Sequence, residues 1–169
     1  MSSTPVQLTA AVNAIANGGV YVAPRLVSGY VGGDGEITDA SAPASHRVVS
    51  AATASEVAGI LRDVVCADNG TANAAAVPGV SVAGKTGTAY KAQPDGTYFN
   101  AQGKHTYYTS FVGFFPTEDP QVTVLVSIDE PPTGTSGGQA AAPVFSQIVP
   151  TIMNEMSIQP PAGSTGCEG

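Results

Sequence analysis

"GVSVAGKTGTAY", residues 79–90, carries two incompatible patterns. Gly79, four residues and then Gly84-Lys85-Thr86 match the phosphate-binding pattern G-x-x-x-x-G-K-[ST]. Lys85-Thr86-Gly87-Thr88 match the K-T-G of a serine acyl-transfer strand. The first pattern needs a strand before the glycines and a helix opening at the lysine, because backbone N–H groups and the helix N-terminus together hold the phosphates. The second needs Lys, Thr and Gly on an extended edge strand. The flanking sequence separates them.

Val80 and Val82 alternate with Ser81 and Ala83, a period of two that predicts a strand from residue 79. After Thr86, Gly87-Thr88-Ala89-Tyr90 is a poor helix start and a good strand continuation. One feature imitates a nucleotide site: the apolar run Val124 to Ile128 ends in Asp129, as a magnesium-binding strand does. A nucleotide-binding protein is therefore kept as the remote alternative, and the K-T-G strand is favoured. On that strand Lys85 sets a cation beside a reacting centre. Thr86 and Thr88 offer hydroxyls to a substrate carboxylate, and Gly87 lets a substrate backbone pair with the strand. The backbone N–H of Thr88 faces a developing oxyanion.

Working outward, Thr4-Pro5-Val6-Gln7 reads as a helix start, with Thr4 as N-cap and Gln7 closing a capping box. Leu8, Val12 and Ile15 form its stripe, and Gly18-Gly19 end it. Residues 20–30 read as strand or extended chain, and 31–47 as a loop around the turn cluster Gly32-Gly33-Asp34-Gly35. A second capping box opens at Thr53 with Glu56, before a stripe of Val57, Ile60, Leu61, Val64 and Val65. Strands are expected over Tyr107–Phe115 and from Val122 to Ile128, with Val122, Val124, Val126 and Ile128 on one face. Three consecutive strands without intervening helices predict an antiparallel meander. Gln139 to Met156 reads as a closing helix kinked at Pro150. The fold class is α+β: an antiparallel sheet with packed helices, residues 1–158 forming one unit and 159–169 a disordered tail.

With 169 residues the chain is long enough to bury roughly 70% of its unfolded surface as one domain. Its net charge of -7, with six Lys and Arg, excludes a nucleic-acid partner, since no basic patch can neutralise phosphates. No apolar run reaches the ~20 residues of a membrane span, and no signal peptide is visible. Cys66 and Cys167 have no metal spacing. The favoured reading is a buried free thiol at Cys66; the spacing gives no support to a disulfide. No metal or cofactor is called for.

The longer context resembles the transpeptidase domain of class B penicillin-binding proteins. "SSTPVQLTAAVNAIANGGVYVAPRLV" (2–27) is similar to the family's helix with its T-P-x-Q-L and A-N-G-G pattern. "GTANAAAVPGVSVAGKTGTA" (70–89) resembles the approach to the K-T-G motif, and "SFVGFFP" (110–116) and "VTVLVSIDEP" (122–131) the next two strands. "GGQAAAPVFSQI" (137–148) resembles the closing helix. The resemblance implies a penicillin-binding transpeptidase or serine β-lactamase-like fold. It implies attack on D-alanyl-D-alanine stem peptides, an acyl-enzyme trapped by β-lactams, and peptidoglycan cross-linking. It places the parent at the extracytoplasmic face of the bacterial membrane. Lys85, Thr86, Gly87 and Thr88 would be its substrate-binding residues, with Lys85 and Thr88 also acting in catalysis.

Two of the family's motifs are missing. No serine has Lys three residues on, so S-x-x-K is absent; Ser81 has Lys85 at four. No S-x-N occurs, and Thr71-Ala72-Asn73 is nearest. The nucleophile is not in these residues. The favoured expectation is the C-terminal part of a longer enzyme, Met1 standing where the family has an internal residue, with the N-terminal half of the domain as its partner. Such a chain is expected to be inactive alone and to expose faces that half would cover. The alternative is a non-catalytic module binding stem peptide or β-lactam; a β-lactamase or antibiotic sensor shares the K-T-G strand.

Other residues have plainer readings. His46 and His105 are expected in solvent, and Asp129-Glu130 at a solvated strand end. Tyr98, Phe99, Tyr107 and Tyr108 either line a substrate groove or pack on the sheet. Ser136-Gly137-Gly138 needs no more than a loop-and-cap role.

Overall fold

The computed structural model describes residues 3–132 and 135–167. Helix α1 (Pro5–Ala16) starts as expected: the Thr4 hydroxyl accepts from Gln7 N–H at 3.2 Å, and the Gln7 amide oxygen accepts from Thr4 N–H at 2.8 Å. Its buried residues are Ala10 and Ala14, not the larger Leu8, Val12 and Ile15. Small side chains let the helix lie close to the sheet, where Thr123 Oγ1 donates to Asn13 Oδ1 at 2.9 Å. Leu8 stays on the exposed side.

Strands β1 (Val20–Val22), β2 (Gly29–Val31), β3 (Ile37–Asp39) and β4 (Ser45–Arg47) follow. The expected loop over 31–47 is thus two antiparallel pairings, β2 with β3 and β1 with β4. The glycine cluster is the turn of the β2–β3 hairpin, with Gly35 at φ 83°. Short strands of mixed polarity carry little periodic signal, so only the turn was legible there.

Helix α2 (Ala51–Cys66) begins earlier than a Thr53 cap predicts. Ser50 is the N-cap, its hydroxyl accepting from Thr53 N–H at 3.0 Å. Ala54 and Val65 are its buried residues, while Ile60 of the expected stripe remains 59% exposed.

The main sheet is the antiparallel meander β5 (Ala83–Tyr90), β6 (Tyr107–Phe115) and β7 (Val122–Asp129), in that order. The residues before β5 do not alternate as expected. Val80, Ser81, Val82 and Ala83 are all buried, and the strand opens only at Ala83. Ser81 breaks the pattern because its hydroxyl is satisfied inside: it donates to Glu118 Oε2 and accepts from Thr117 N–H at 2.9 Å.

Helix α3 (Gly137–Glu155) crosses one face of this sheet, with Pro143 and Pro150 inside it. Phe145 of α3 meets Phe111 edge-on at 4.9 Å and Phe115 at 6.0 Å, all three fully buried. Such T-shaped contacts add to area burial, and truncating Phe145 to Ala is expected to cost about 3–5 kcal/mol. The β5 glycine before Lys85 serves this core. Gly84 stands opposite Gly113 in the register, and a Cβ on Gly84 would lie 2.6 Å from Val112 O and against the Phe111 ring. Val122, Val124, Val126 and Ile128 pack against the same core, on the face the sequence assigns to them.

Two sequence expectations fail at the C-terminus. Cys66 and Cys167 form a disulfide, so Cys66 is not a free thiol. Residues 159–167 are also not a detached tail. Arg62 Nη2 donates to Gly166 O at 3.0 Å, and Ser164 Oγ donates to Glu118 Oε2 at 3.3 Å. A Cβ on Gly166 would sit 2.9 Å from Val77 O, so the segment lies directly on the approach to β5. Pro, Gly and Ser suggested disorder because composition cannot register a cross-link made 101 residues away. Glu168 and Gly169, the end of the expected tail, lie outside the described residues.

Candidate functional site

Lys85, Thr86, Gly87 and Thr88 occupy the middle of β5, paired with Val112, Phe111, Ser110 and Thr109 of β6. Among the described residues β5 has β6 as its one hydrogen-bonded neighbour, so it is an edge strand. A phosphate-binding loop is incompatible with this geometry: Lys85 and Thr86 lie within a strand, and no helix begins at them. Asp129, the nucleotide-like aspartate, is instead ion-paired with Lys91 at 2.8 Å.

Strand alternation divides the four residues. Thr86 and Thr88 share the face of Phe111 and Thr109, toward α3, whereas Lys85 and Gly87 share that of Val112 and Ser110. Lys85 is exposed, and its ammonium donates to Thr86 O at 3.1 Å and Thr86 Oγ1 at 3.5 Å. The Thr86 hydroxyl is also shared with Thr71 Oγ1 at 3.3 Å. Thr88 is exposed, and its Oγ1 accepts from Gly137 N–H at 3.3 Å.

The start of α3 is pressed onto this strand. A Cβ on Gly137 would lie 2.6 Å from Gly87 O and 3.1 Å from Gly87 N. One on Gly138 would run into Thr71 O and reach Thr86 Cγ2 at 3.6 Å. Gly137 and Gly138 therefore do more than the loop-and-cap role expected of them: they admit α3 to contact with the K-T-G strand. Thr71, in the turn after α2, enters the sequence reading only as part of the nearest approach to S-x-N, with no contact to the strand expected. Paired glycines at a helix start are a signal of close approach; for Thr71 no local signal exists, since its partner is 15 residues on.

A cavity of about 560 Å³ opens beside Thr88, lined by Lys104, His105, Tyr107, Thr135 and Ser136 among others. His105 is exposed, as expected, yet ordered: Nδ1 lies 3.0 Å from Tyr98 O and the ring stacks on Phe99 at 4.2 Å. Tyr90 contacts His105, Tyr98 and Tyr107, so these aromatics form one cluster at the far end of β5. Tyr108 lies apart, beneath Lys91 Nζ at 5.3 Å. His46 is exposed on β4 beside Tyr21.

Asp129 and Glu130 are not merely solvated. Both pair with Lys91, at 2.8 and 3.0 Å. Hydrogen bonds to Asp129 and then Glu130 hold the Lys91 ammonium above the ordinary lysine range. Burial pushes the Glu118 carboxyl up, but hydrogen bonds from Ser81, its backbone and Ser164, with the Arg62 charge, bring it below the ordinary glutamate value.

Comparison with known proteins identifies the family and the fold. Residues 1–150 match the family described as the penicillin binding protein transpeptidase domain. The chain is 37% identical to penicillin-binding protein PbpB of Mycobacterium tuberculosis, over 94% of this chain and 24% of that protein. It is 35% identical to stage V sporulation protein D of Bacillus subtilis, over 95% of this chain and 24% of that protein. The chain thus spans about a quarter of these relatives' length. Among solved structures, penicillin-binding protein 3 of Mycobacterium tuberculosis complexed with ampicillin superposes with a TM-score of 0.77. Identity is 34%, covering 96% of this chain and 38% of that one. An edge strand bearing Lys85-Thr86-Gly87-Thr88, a fold that superposes on a solved relative over 96% of the chain, and a family match over residues 1–150 lead to one conclusion: the chain belongs to the penicillin-binding protein transpeptidase domain family.

Proposed function

We propose that β5 is the substrate-binding strand of a peptidoglycan D,D-transpeptidase. In this reading an extended D-alanyl-D-alanine stem peptide adds to the free edge of β5. Gly87 admits its backbone, and Lys85 supplies positive charge beside the reacting carbonyl. Thr86 and Thr88 hold a carboxylate, and Thr88 N–H contributes to the oxyanion hole. The acylated serine is supplied by residues other than these 169, which contain no S-x-x-K. β-Lactams would occupy the same strand, and the work would be done on the extracytoplasmic side of the membrane. No described helix is itself long and apolar enough to cross one.

The observation that carries the proposal is the placement of Lys85-Thr86-Gly87-Thr88 on an edge strand, with exposed Lys85 and Thr88. Titrating isotope-labelled protein with an N-acyl-D-alanyl-D-alanine dipeptide tests it by NMR. Amide shifts are expected to concentrate on Lys85–Ala89. Shifts confined to other elements, or none at millimolar dipeptide, would overturn it.

A further inference from the structure

We infer that Gly137 is a positioning residue: its backbone N–H orients the Thr88 hydroxyl as a donor toward a carboxylate-bearing ligand on β5. The inference rests on the reading of β5 as a substrate strand and adds an element from outside the K-T-G motif. A threonine hydroxyl has one proton and two lone pairs. The Gly137 amide can only donate, so its 3.3 Å contact occupies a lone pair of Thr88 Oγ1 and leaves the Thr88 proton free. Thr88 is exposed and borders the 560 Å³ cavity, so that proton faces ligand space.

Thr86 is differently engaged. Its hydroxyl is shared internally with Thr71 Oγ1 at 3.3 Å and receives Lys85 Nζ at 3.5 Å. Of the two threonines, Thr88 is the one whose hydroxyl has a single protein partner among the described residues, and that partner is a pure donor. Glycine at 137 is what allows it. A Cβ there would overlap the Gly87 carbonyl oxygen at 2.6 Å, so any larger residue pushes the first turn of α3 out of reach of Thr88. A hydroxyl that accepts one hydrogen bond is polarised into a better donor, and a carboxylate is the acceptor that gains most from it.

Thr88→Val removes the hydroxyl and keeps the strand-forming shape; Thr88→Ser keeps the hydroxyl. Two measurements on the full 169-residue chain separate the possibilities. The first is hydrogen exchange at the Gly137 amide without ligand. Exchange is expected to rise about fivefold or more in Thr88→Val, where the amide loses its acceptor, and to stay near wild type in Thr88→Ser. The second is affinity for N-acyl-D-alanyl-D-alanine against its C-terminal amide. The wild type is expected to favour the free carboxylate about tenfold, Thr88→Val to lose that preference, and Thr88→Ser to recover it. Unchanged Gly137 exchange in Thr88→Val, or an undiminished carboxylate preference, overturns the inference. If exchange responds but neither dipeptide shifts any β5 amide, the substrate-strand reading fails and takes this inference with it, while the Gly137–Thr88 contact stands.

Discussion

Gly137 and Gly87 touch backbone to backbone: a Cβ on Gly137 would be 2.6 Å from Gly87 O and 3.1 Å from Gly87 N. On the opposite face, a Cβ on Gly87 would meet Ser110 Oγ at 2.6 Å. The strand is therefore held between helix α3 and a serine side chain, and the two glycines are not equally replaceable. Gly137→Ala meets rigid backbone and is expected to cost about 2–4 kcal/mol; Gly87→Ala meets a hydroxyl that can rotate and is expected to cost about 1 kcal/mol. Urea denaturation of both variants, with Gly87→Ala/Ser110→Ala as the relieved control, checks the order. Equal costs would show that α3 yields freely.

These 169 residues contain no S-x-x-K, the motif whose serine is acylated in enzymes that bear the K-T-G strand. Incubated with a fluorescent penicillin, the chain is expected to give no stable band on a denaturing gel. A covalent band that survives boiling would contradict this and would identify an unrecognised nucleophile.

The Cys66–Cys167 bond closes a separation of 101 residues. For loops of about 100 residues the chain-entropy estimate is near 4.7 kcal/mol, and native disulfides commonly yield about 2–4 kcal/mol. Cys66→Ser/Cys167→Ser, or reduction of the wild type, is expected to lower stability by that amount. Proteolysis of residues 157–167 should accelerate in parallel. A thermal midpoint unmoved by reduction would count against the cross-link.

Glu118 receives hydrogen bonds from Ser81 and Ser164, and its carboxyl lies below the ordinary value despite the opposing effect of burial. A depressed carboxyl stabilises the fold above its unfolded pKa, and that contribution is lost as pH falls through the folded one. The C-terminal segment is therefore expected to loosen on acidification below the ordinary glutamate range. Hydrogen exchange near Ser164 reads this directly. In Glu118→Gln the same pH step should have a smaller effect; an equal response would assign the loosening to other groups.

Thr109 is fully buried and its hydroxyl has no partner among the described residues. An unsatisfied buried hydroxyl costs about 1–3 kcal/mol. Thr109→Val should thus be neutral or stabilising, by up to about 1 kcal/mol in a melt. A loss of that size would reveal a partner for the hydroxyl.

Legibility in the sequence followed the range of the forces involved. The cap at Thr4 and the Val122–Ile128 face depend on neighbours within a few residues, and they read correctly. The strand start at Ala83 did not, because buried Ser81 is satisfied by Thr117 and Glu118 from the turn between β6 and β7. The small-residue face of α1 was hidden for a related reason: Ala10 and Ala14 score as weakly apolar, yet they are what permits close approach to the sheet. At the site, Lys85–Thr88 stood out as a motif, whereas Thr71 and the glycines of α3 act through contacts that only folding creates.

The bond between Cys66 and Cys167 also has a topological result. It turns everything from the end of α2 to the last turn into one covalent ring, with β5, β6, β7 and α3 inside it. A single cut in the exposed connection between β5 and β6 opens that ring without dividing it. The K-T-G strand and the helix that braces it remain one molecule, and they come apart on a gel only when a reductant is added.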